Sequence, residues 1–593
     1  MPSYGRTSTV RSHRRGGSAR SRARLASWLI AASAVLLATA GLGGVYGYTV
    51  KTNCTGRATT NIVVTPRLAP IMQTLAANWA RTSPSVNGFC GSVTIASRES
   101  AEMATALTTD WDPALGAKPD VWVPDSTAWV KDASANRTAE RMIPDLQPSL
   151  ARTPTVIAMP KPLADAAAMT SKSLTWVEIV QKLDLPGGWK SYSHPEWGAF
   201  KVGLSNPQES TPGLLALMAI ADSNDNGELD ATEQATLLSL RKVVTLTPTS
   251  TTDIFNGLRE AGSQGLSYVS AFPALEQDVL DYNLGHPSVP LVAIYPSDGT
   301  AEADFPYLVL NAPWASAQRE SVANAFLRYA RGEEGRAAFL AAGYRDSNRL
   351  PGPALSPVNG LVSTITALPR AVLLPESVQH AVASWTAATR PTNMLLVFDT
   401  SGSMGEVVPG TGNKTRLDLT KAAALGSLAL LDGSARVGLW AFSTIDQGPD
   451  YRSLVPIAPL SDTTDGTTHL DQVTAAINGL QAGGSTGLYN TAYAACQDVA
   501  SHRVDGAANF VVLLTDGADD NNVANSLTLP DLVTKLKATC GDPGKPVQVI
   551  TIGLGVKADS AILRQISDAT GATSYSSPTS FDISQVMLSA LFS

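Results

Sequence analysis

Residues 394–404 read Met394-Leu395-Leu396-Val397-Phe398-Asp399-Thr400-Ser401-Gly402-Ser403-Met404. Five consecutive apolar residues, with no polar alternation, suit a strand covered on both faces, as strands of parallel sheets are. The run stops at a carboxylate followed by two hydroxyls two residues apart. Further apolar runs lie at 437–442, 510–514 and 547–552, and amphipathic helical patterns at 417–431, 470–480, 488–500, 529–537 and 561–569. Strands alternating with helices predict an α/β, Rossmann-like, doubly wound and mostly parallel sheet over 392–593. Ligands of such sheets bind beyond the carboxyl ends of the strands.

The oxygen-bearing residues fall at those ends. Asp399, Ser401 and Ser403 follow the first strand; Asp516 follows the run at 510–514; Thr486 lies in the loop Gly483-Gly484-Ser485-Thr486-Gly487 between two helical patterns. Two carboxylates and three hydroxyls suit a hard cation, Mg²⁺ or alternatively Mn²⁺ or Ca²⁺. Asp-x-Ser-x-Ser alone reads first as a turn; the later Thr486 and Asp516 turn it into a set. The arrangement resembles the von Willebrand factor A domain and its metal-ion-dependent adhesion site. That resemblance implies that Ser401, Ser403 and Thr486 bind metal directly, that Asp399 and Asp516 act directly or through water, and that an acidic group of a protein partner completes the shell. Gly483–Gly487 also spells the G-x-S-x-G of hydrolases, but that elbow needs a strand immediately before its serine and the preceding pattern is helical. No partner His and acid can be named for it, so a binding protein is expected, not an enzyme.

Residues 55–350 mix short apolar runs with helical stretches, and 351–391 form a Pro-rich connector. Lys118 to Ser126, 156–162, Leu204-Ser205-Asn206-Pro207, Glu276 to Gly285, Tyr295 to Thr300 and Ala341 to Arg345 resemble the bacterial extracellular solute-binding family of the two-lobed type II periplasmic fold. The resemblance implies a ligand cleft between two α/β lobes, with Ser126, Ser210 and Thr211 near helix starts, where free N–H groups favour an anion. The same residue types also serve as ordinary helix caps. A small, anionic solute delivered to a membrane permease is the alternative function.

Asp222 to Glu233 matches the calcium loop of an EF-hand. Asp222, Asn224, Asn226, the backbone of Glu228, Asp230 and Glu233 are placed as ligands, with Gly227 at the sharp turn. A single hand suggests a structural calcium ion; a polar interhelical loop is the other reading.

Residues 1–50 hold seven Arg and no acid, and the other 543 carry 37 basic against 51 acidic groups, a balance of −14. Such a surface excludes an electrostatic case for nucleic-acid binding. The 26 residues 25–50 carry no charge. That is enough for a transmembrane helix, with the basic tail 1–24 cytoplasmic and the bulk extracytoplasmic. A cleaved signal ending at Ala38-Thr39-Ala40 is the rival, and it exports the chain as well. Six scattered His and no Cys-x-x-Cys exclude a sequence-local zinc site. Outside the membrane four cysteines can oxidise; pairing within each domain gives Cys54–Cys90 and Cys496–Cys540, against free buried thiols.

Overall fold

The computed structural model describes residues 54–577 except 171–173, 225, 227–229, 371, 373, 445–449, 518, 520–525 and 556–557. The basic tail and the apolar run at 25–50 lie outside the described residues. Among the described residues no helix is long and apolar enough to cross a membrane.

The first lobe is built on β1 (Gly56–Val64), flanked in parallel by β2 (Phe89–Ser97) and β3 (Val121–Val123). Helix α1 (Ala69–Arg81) buries Met72, Leu75 and Trp79 against this sheet. Helices α2 (Ser100–Thr108) and α3 (Thr127–Ser134) cover the other face. Strand β4 (Ala151–Pro160) leaves the first core at Ala151 and enters the second lobe at Val156 to Met159. There it pairs antiparallel with β5 (Phe272–Leu275) and β6 (Leu291–Ile294). Helices α4 (Thr211–Ala221) and α5 (Ala231–Val243) pack in the second lobe's core. Ten of the eleven residues of α4 are buried, which explains why it is apolar all round.

The Pro-rich connector holds a helix, α6 (Pro375–Thr389), that the sequence reading did not foresee. Pro375 starts it, at a position where a missing N–H costs nothing, and Pro391 follows its end. Its Val378 packs with the first lobe, and its Ala381, Trp385 and Ala388 with the second. Arg241 of α5 donates to Ala388 O at 2.7 Å and pairs with Asp432 of the last domain at 2.6 Å.

The last domain is a six-stranded sheet. In chain order its strands are β7 (Thr392–Asp399), β8 (Arg436–Phe442), β9 (Tyr451–Pro459), β10 (Ala508–Thr515), β11 (Gln548–Leu554) and β12 (Ser574–Ser577). Their spatial order is β9-β8-β7-β10-β11-β12, parallel except at β9. All eight residues of β7 are buried, because both faces are covered. Met394, Leu396 and Phe398 meet α7 (Arg416–Leu428) and α8 (His469–Asn478) on one side. Leu395 and Val397 meet α9 (Leu488–Ser501), α10 (Leu529–Thr539) and α11 (Ser560–Asp568) on the other. The unforeseen β9 is a half-exposed edge strand containing Pro456, a residue tolerated at sheet edges but not in their middles. Both expected disulfides are present, Cys54–Cys90 and Cys496–Cys540.

Candidate metal centre

Strand β7 delivers Asp399, fully buried, to the carboxyl end of the sheet. Its Oδ1 accepts the Ser401 N–H at 2.8 Å, a local turn that sets where the following hydroxyls point. Its Oδ2 accepts the Thr515 hydroxyl at 2.6 Å from the end of neighbouring β10. Burial pushes the Asp399 carboxyl up to about 6, against the pull of the Thr515 and Ser401 hydrogen bonds.

Ser401 Oγ and Ser403 Oγ lie 3.1 Å apart, and Ser403 Oγ donates to Asp516 Oδ1 at 2.6 Å. The loop carrying Thr486 is stitched to the same rim. Gly483 N donates to Thr400 O at 2.7 Å, Gly402 N to Gly484 O at 2.9 Å, and Ser485 bridges Thr444. Gly484 has φ +87°, and a Cβ there would sit 2.5 Å from Thr444 O, so the close approach requires glycine. Thr486 is thereby brought beside Asp516-Gly517: a Cβ on Gly517 would lie 3.5 Å from Thr486 Oγ1. Three stretches remote in sequence thus meet at one edge, and their donors are all oxygen. Ser401, Ser403, Thr486 and Asp516, with Asp399 behind them, fit a hard divalent cation in chemistry and in placement. Residues 483–487 form a loop, with no strand leading into Ser485.

Sequence reading missed three residues here. Thr515 holds Asp399, and its place at a strand end beside Asp516 could have flagged it. Asp519 Oδ1 accepts Leu488 N at 2.8 Å and Tyr489 N at 3.3 Å, tying the start of α9 to the Asp516 loop. Arg416, the first residue of α7, pairs with Asp516 at 2.8 Å; no spacing rule connects positions 100 apart.

Of the calcium-loop match at 222–233, the structure describes residues 222–224, 226 and 230–233. Gly227 and Glu228 lie outside the described residues. Glu233, the expected bidentate ligand, accepts Ser223 N at 2.6 Å on Oε1 and Asp230 N at 2.9 Å on Oε2. Asp230 Oδ1 caps α5 by accepting Thr232 N and Glu233 N, and Asn224 Nδ2 donates to Asp230 Oδ2. Asn224 Oδ1 accepts Asn226 N, and the Asp222 carbonyl accepts the Arg370 guanidinium at 2.8 Å. Asp230 and Glu233 thus form the capping box of α5, and Arg370 holds the backbone carbonyls of Asp222 and Ser223. Among the described residues no three His, Cys, Asp or Glu gather in a way that could hold a metal.

Between the two lobes lies a cavity of about 670 Å³. Ser210 and Thr211 line it, together with Arg67, Glu99, Glu102, Asp125 and Glu209. Ser126 is not among the lining residues: fully buried, it caps α3 through Ala128 N at 3.2 Å and donates to Glu302 O at 2.9 Å. The Thr211 hydroxyl donates to Asp125 Oδ2 at 2.7 Å and accepts from Trp129 Nε1 at 2.8 Å; Ser210 Oγ accepts from Ser205 at 2.7 Å. Among the described residues Arg67 is the one guanidinium in the lining, and it is itself paired with Asp278 and lies 3.8 Å from Asp125. Four carboxylates against one paired guanidinium make the cavity more hospitable to a cationic or hydroxyl-rich solute than to a small anion.

Residues 60–345 match the family model for bacterial extracellular solute-binding protein, and residues 393–588 that for von Willebrand factor type A domain. Two uncharacterized proteins of Mycobacterium tuberculosis, from strains CDC 1551 / Oshkosh and ATCC 25618 / H37Rv, are each 24% identical over 534 residues, which cover 89% of this chain and 75% of theirs. Among solved structures, a von Willebrand factor type A protein from Catenulispora acidiphila is 19% identical with a TM-score of 0.28, over 34% of this chain and 42% of that one. A periplasmic thiamin binding protein is 13% identical with a TM-score of 0.40, over 56% of this chain and 96% of that one. Proximal thread matrix protein 1 from the mussel byssus, described with a zinc-occupied MIDAS motif, is 18% identical with a TM-score of 0.26, over 34% and 47%.

Proposed function

We propose, from the premise that this chain is an extracellular solute-binding domain followed by a von Willebrand factor type A domain, that it is a membrane-anchored, extracytoplasmic adhesion protein. In this reading Asp399, Ser401, Ser403, Thr486 and Asp516 hold one divalent cation, and the cation captures an acidic group of a partner protein. Residues 25–50 anchor the chain, and it performs no turnover. The observation that carries the reading is the Ser401–Ser403–Asp516 chain of hydroxyls and carboxylate, at 3.1 and 2.6 Å, with Thr486 folded in beside it. When bound, the cation would supply an open Lewis-acidic position for a carboxylate oxygen. The protein's part is to present three hydroxyls and two carboxylates, a set small enough to leave the ion a position for one oxygen from outside.

The test uses the detergent-solubilised chain. One Mg²⁺ or Mn²⁺ should bind per molecule by calorimetry, and immobilised Asp/Glu-rich peptide should retain the loaded protein but not the protein in chelator. Retention indifferent to chelator would reject cation bridging.

A second reading, solute receptor for a permease, is supported by the cavity between the lobes. A thermal-shift screen of cationic and polyhydroxylated solutes checks it, since a cleft ligand raises the melting temperature by mass action. A melting temperature unmoved across both solute classes counts against a receptor role.

A further inference from the structure

The adhesion rim contains a fixed positive charge. Arg416 Nη1 donates to Asp516 Oδ2 and to Ser403 O, both at 2.8 Å, and its Nη2 pairs with Glu406 Oε2 at 2.9 Å. Gly555, with φ +76°, leaves room for it: a Cβ there would sit 3.4 Å from Arg416 Nε. The Asp516 side chain is 0% exposed, that of Arg416 17% and that of Glu406 47%. The guanidinium therefore runs from the buried carboxylate out to a carboxylate at the surface.

Both oxygens of Asp516 are thus engaged, Oδ1 by Ser403 and Oδ2 by Arg416. A buried carboxylate left without a partner is strongly destabilising, and here Arg416 supplies the partner. A divalent cation seeking the same carboxylate meets a positive charge already bonded to it, in a site largely closed to water, where like charges repel strongly. Arg cannot escape by losing its proton, as a buried Lys could. Its outward partner Glu406 offers another route, because the guanidinium can keep that pair while loosening its hold on Asp516.

Resting on the adhesion reading above, we propose that Arg416 is a built-in competitor for the cation: it neutralises Asp516 when the site is empty, weakens divalent-cation binding, and so confines loading to cation-rich surroundings. The type A fold then stands without metal, and the site responds to external cation concentration instead of holding its ion permanently.

The experiment is Mn²⁺ titration of the full-length chain in detergent, by calorimetry and by electron paramagnetic resonance, with Arg416→Gln, Arg416→Lys and Asp399→Ala variants. Arg416→Gln should bind Mn²⁺ at least about tenfold more tightly than the parent. It should also melt lower in chelator and gain more melting temperature from Mn²⁺, because Asp516 has lost its partner. Arg416→Lys, which keeps the charge but has one nitrogen where the guanidinium uses Nη1 for Asp516 and Nη2 for Glu406, should lie between; it carries the test if the Gln variant does not fold. Affinity equal to or weaker than the parent's in a folded variant overturns the proposal while leaving the metal site standing. Parent and Arg416 variants that all fail to bind Mn²⁺, indistinguishable from Asp399→Ala, would overturn the adhesion reading itself.

Discussion

Asp399→Ala is expected to abolish measurable cation binding, a loss of more than about 100-fold, since even a partner one step removed from a metal is worth 10–100-fold. The side chain does two things at once. It supplies charge beneath the hydroxyl cluster, and it positions that cluster by accepting Ser401 N–H and Thr515 Oγ1. Removing it leaves the Ser401 N–H unpaired in a buried place, at a cost of about 1–3 kcal/mol, and leaves the Thr515 hydroxyl only its long contact with Gly517 O at 3.4 Å. The variant should therefore melt lower even in chelator. Asp399→Asn separates the roles: it keeps an acceptor for one of the two donors but not the charge, so it should recover part of the lost stability and little of the binding. Mn²⁺ titration and thermal melts of the three proteins check this. Full binding by Asp399→Ala would mean that the carboxylate takes no part in holding an ion.

The largest effect on stability is expected in the solute-binding domain. Glu276 and Arg345, 0% and 2% exposed, form a two-pronged pair: Nε to Oε2 at 2.8 Å and Nη2 to Oε1 at 2.7 Å. Tyr295 donates to Oε1 at 2.6 Å, and Arg345 also reaches the carbonyls of Val362 and Ser363. The pair thus fastens the helix Glu276–Leu284 to the strand Arg345–Asp346 and to the start of the connector. Glu276→Ala strands a guanidinium that cannot deprotonate, at a cost of about 3–5 kcal/mol. Denaturant unfolding of the parent and the single variant measures it. The double replacement Glu276→Met with Arg345→Met should recover most of the loss, because the penalty comes from the unpaired charge and not from the absence of an ion pair. A single variant as stable as its parent would show that water reaches Arg345.

Legibility differed by site. The oxygen-lined rim could be read because two of its three pieces follow apolar runs whose ends the parallel sheet puts together, and the third is a short glycine-flanked loop. Its counter-charge could not be read: Arg416 opens a helix after an ordinary Thr415–Asp418 capping box, and only the return of β10 one hundred residues later sets it against Asp516. The calcium-loop match is ambiguous in another way: its spacing satisfies an ion-binding pattern, and the same Asp230 and Glu233 form a capping box at the start of α5. The cleft lies between these cases. Ser210 and Thr211 were placed on its wall, but its charge is set by Glu99, Glu102, Asp125 and Glu209, drawn from separate turns.

Taken alone, the chain's order of apolar runs, helical periods and oxygen-bearing turns determined two α/β units, the doubly wound sheet of the second and the five residues at its rim. It also determined which cysteines pair, because those properties depend on neighbours a few positions apart or on membership of one domain. The fold in three dimensions decided the rest: that a helix replaces a loose connector and touches both lobes, that the cleft is acidic, that the calcium-like loop caps a helix, and that a guanidinium sits against the rim carboxylate Asp516. Each of these depends on groups brought together by chain closure over tens to hundreds of residues. Local propensity carries no information about which charges or apolar faces will meet at that range.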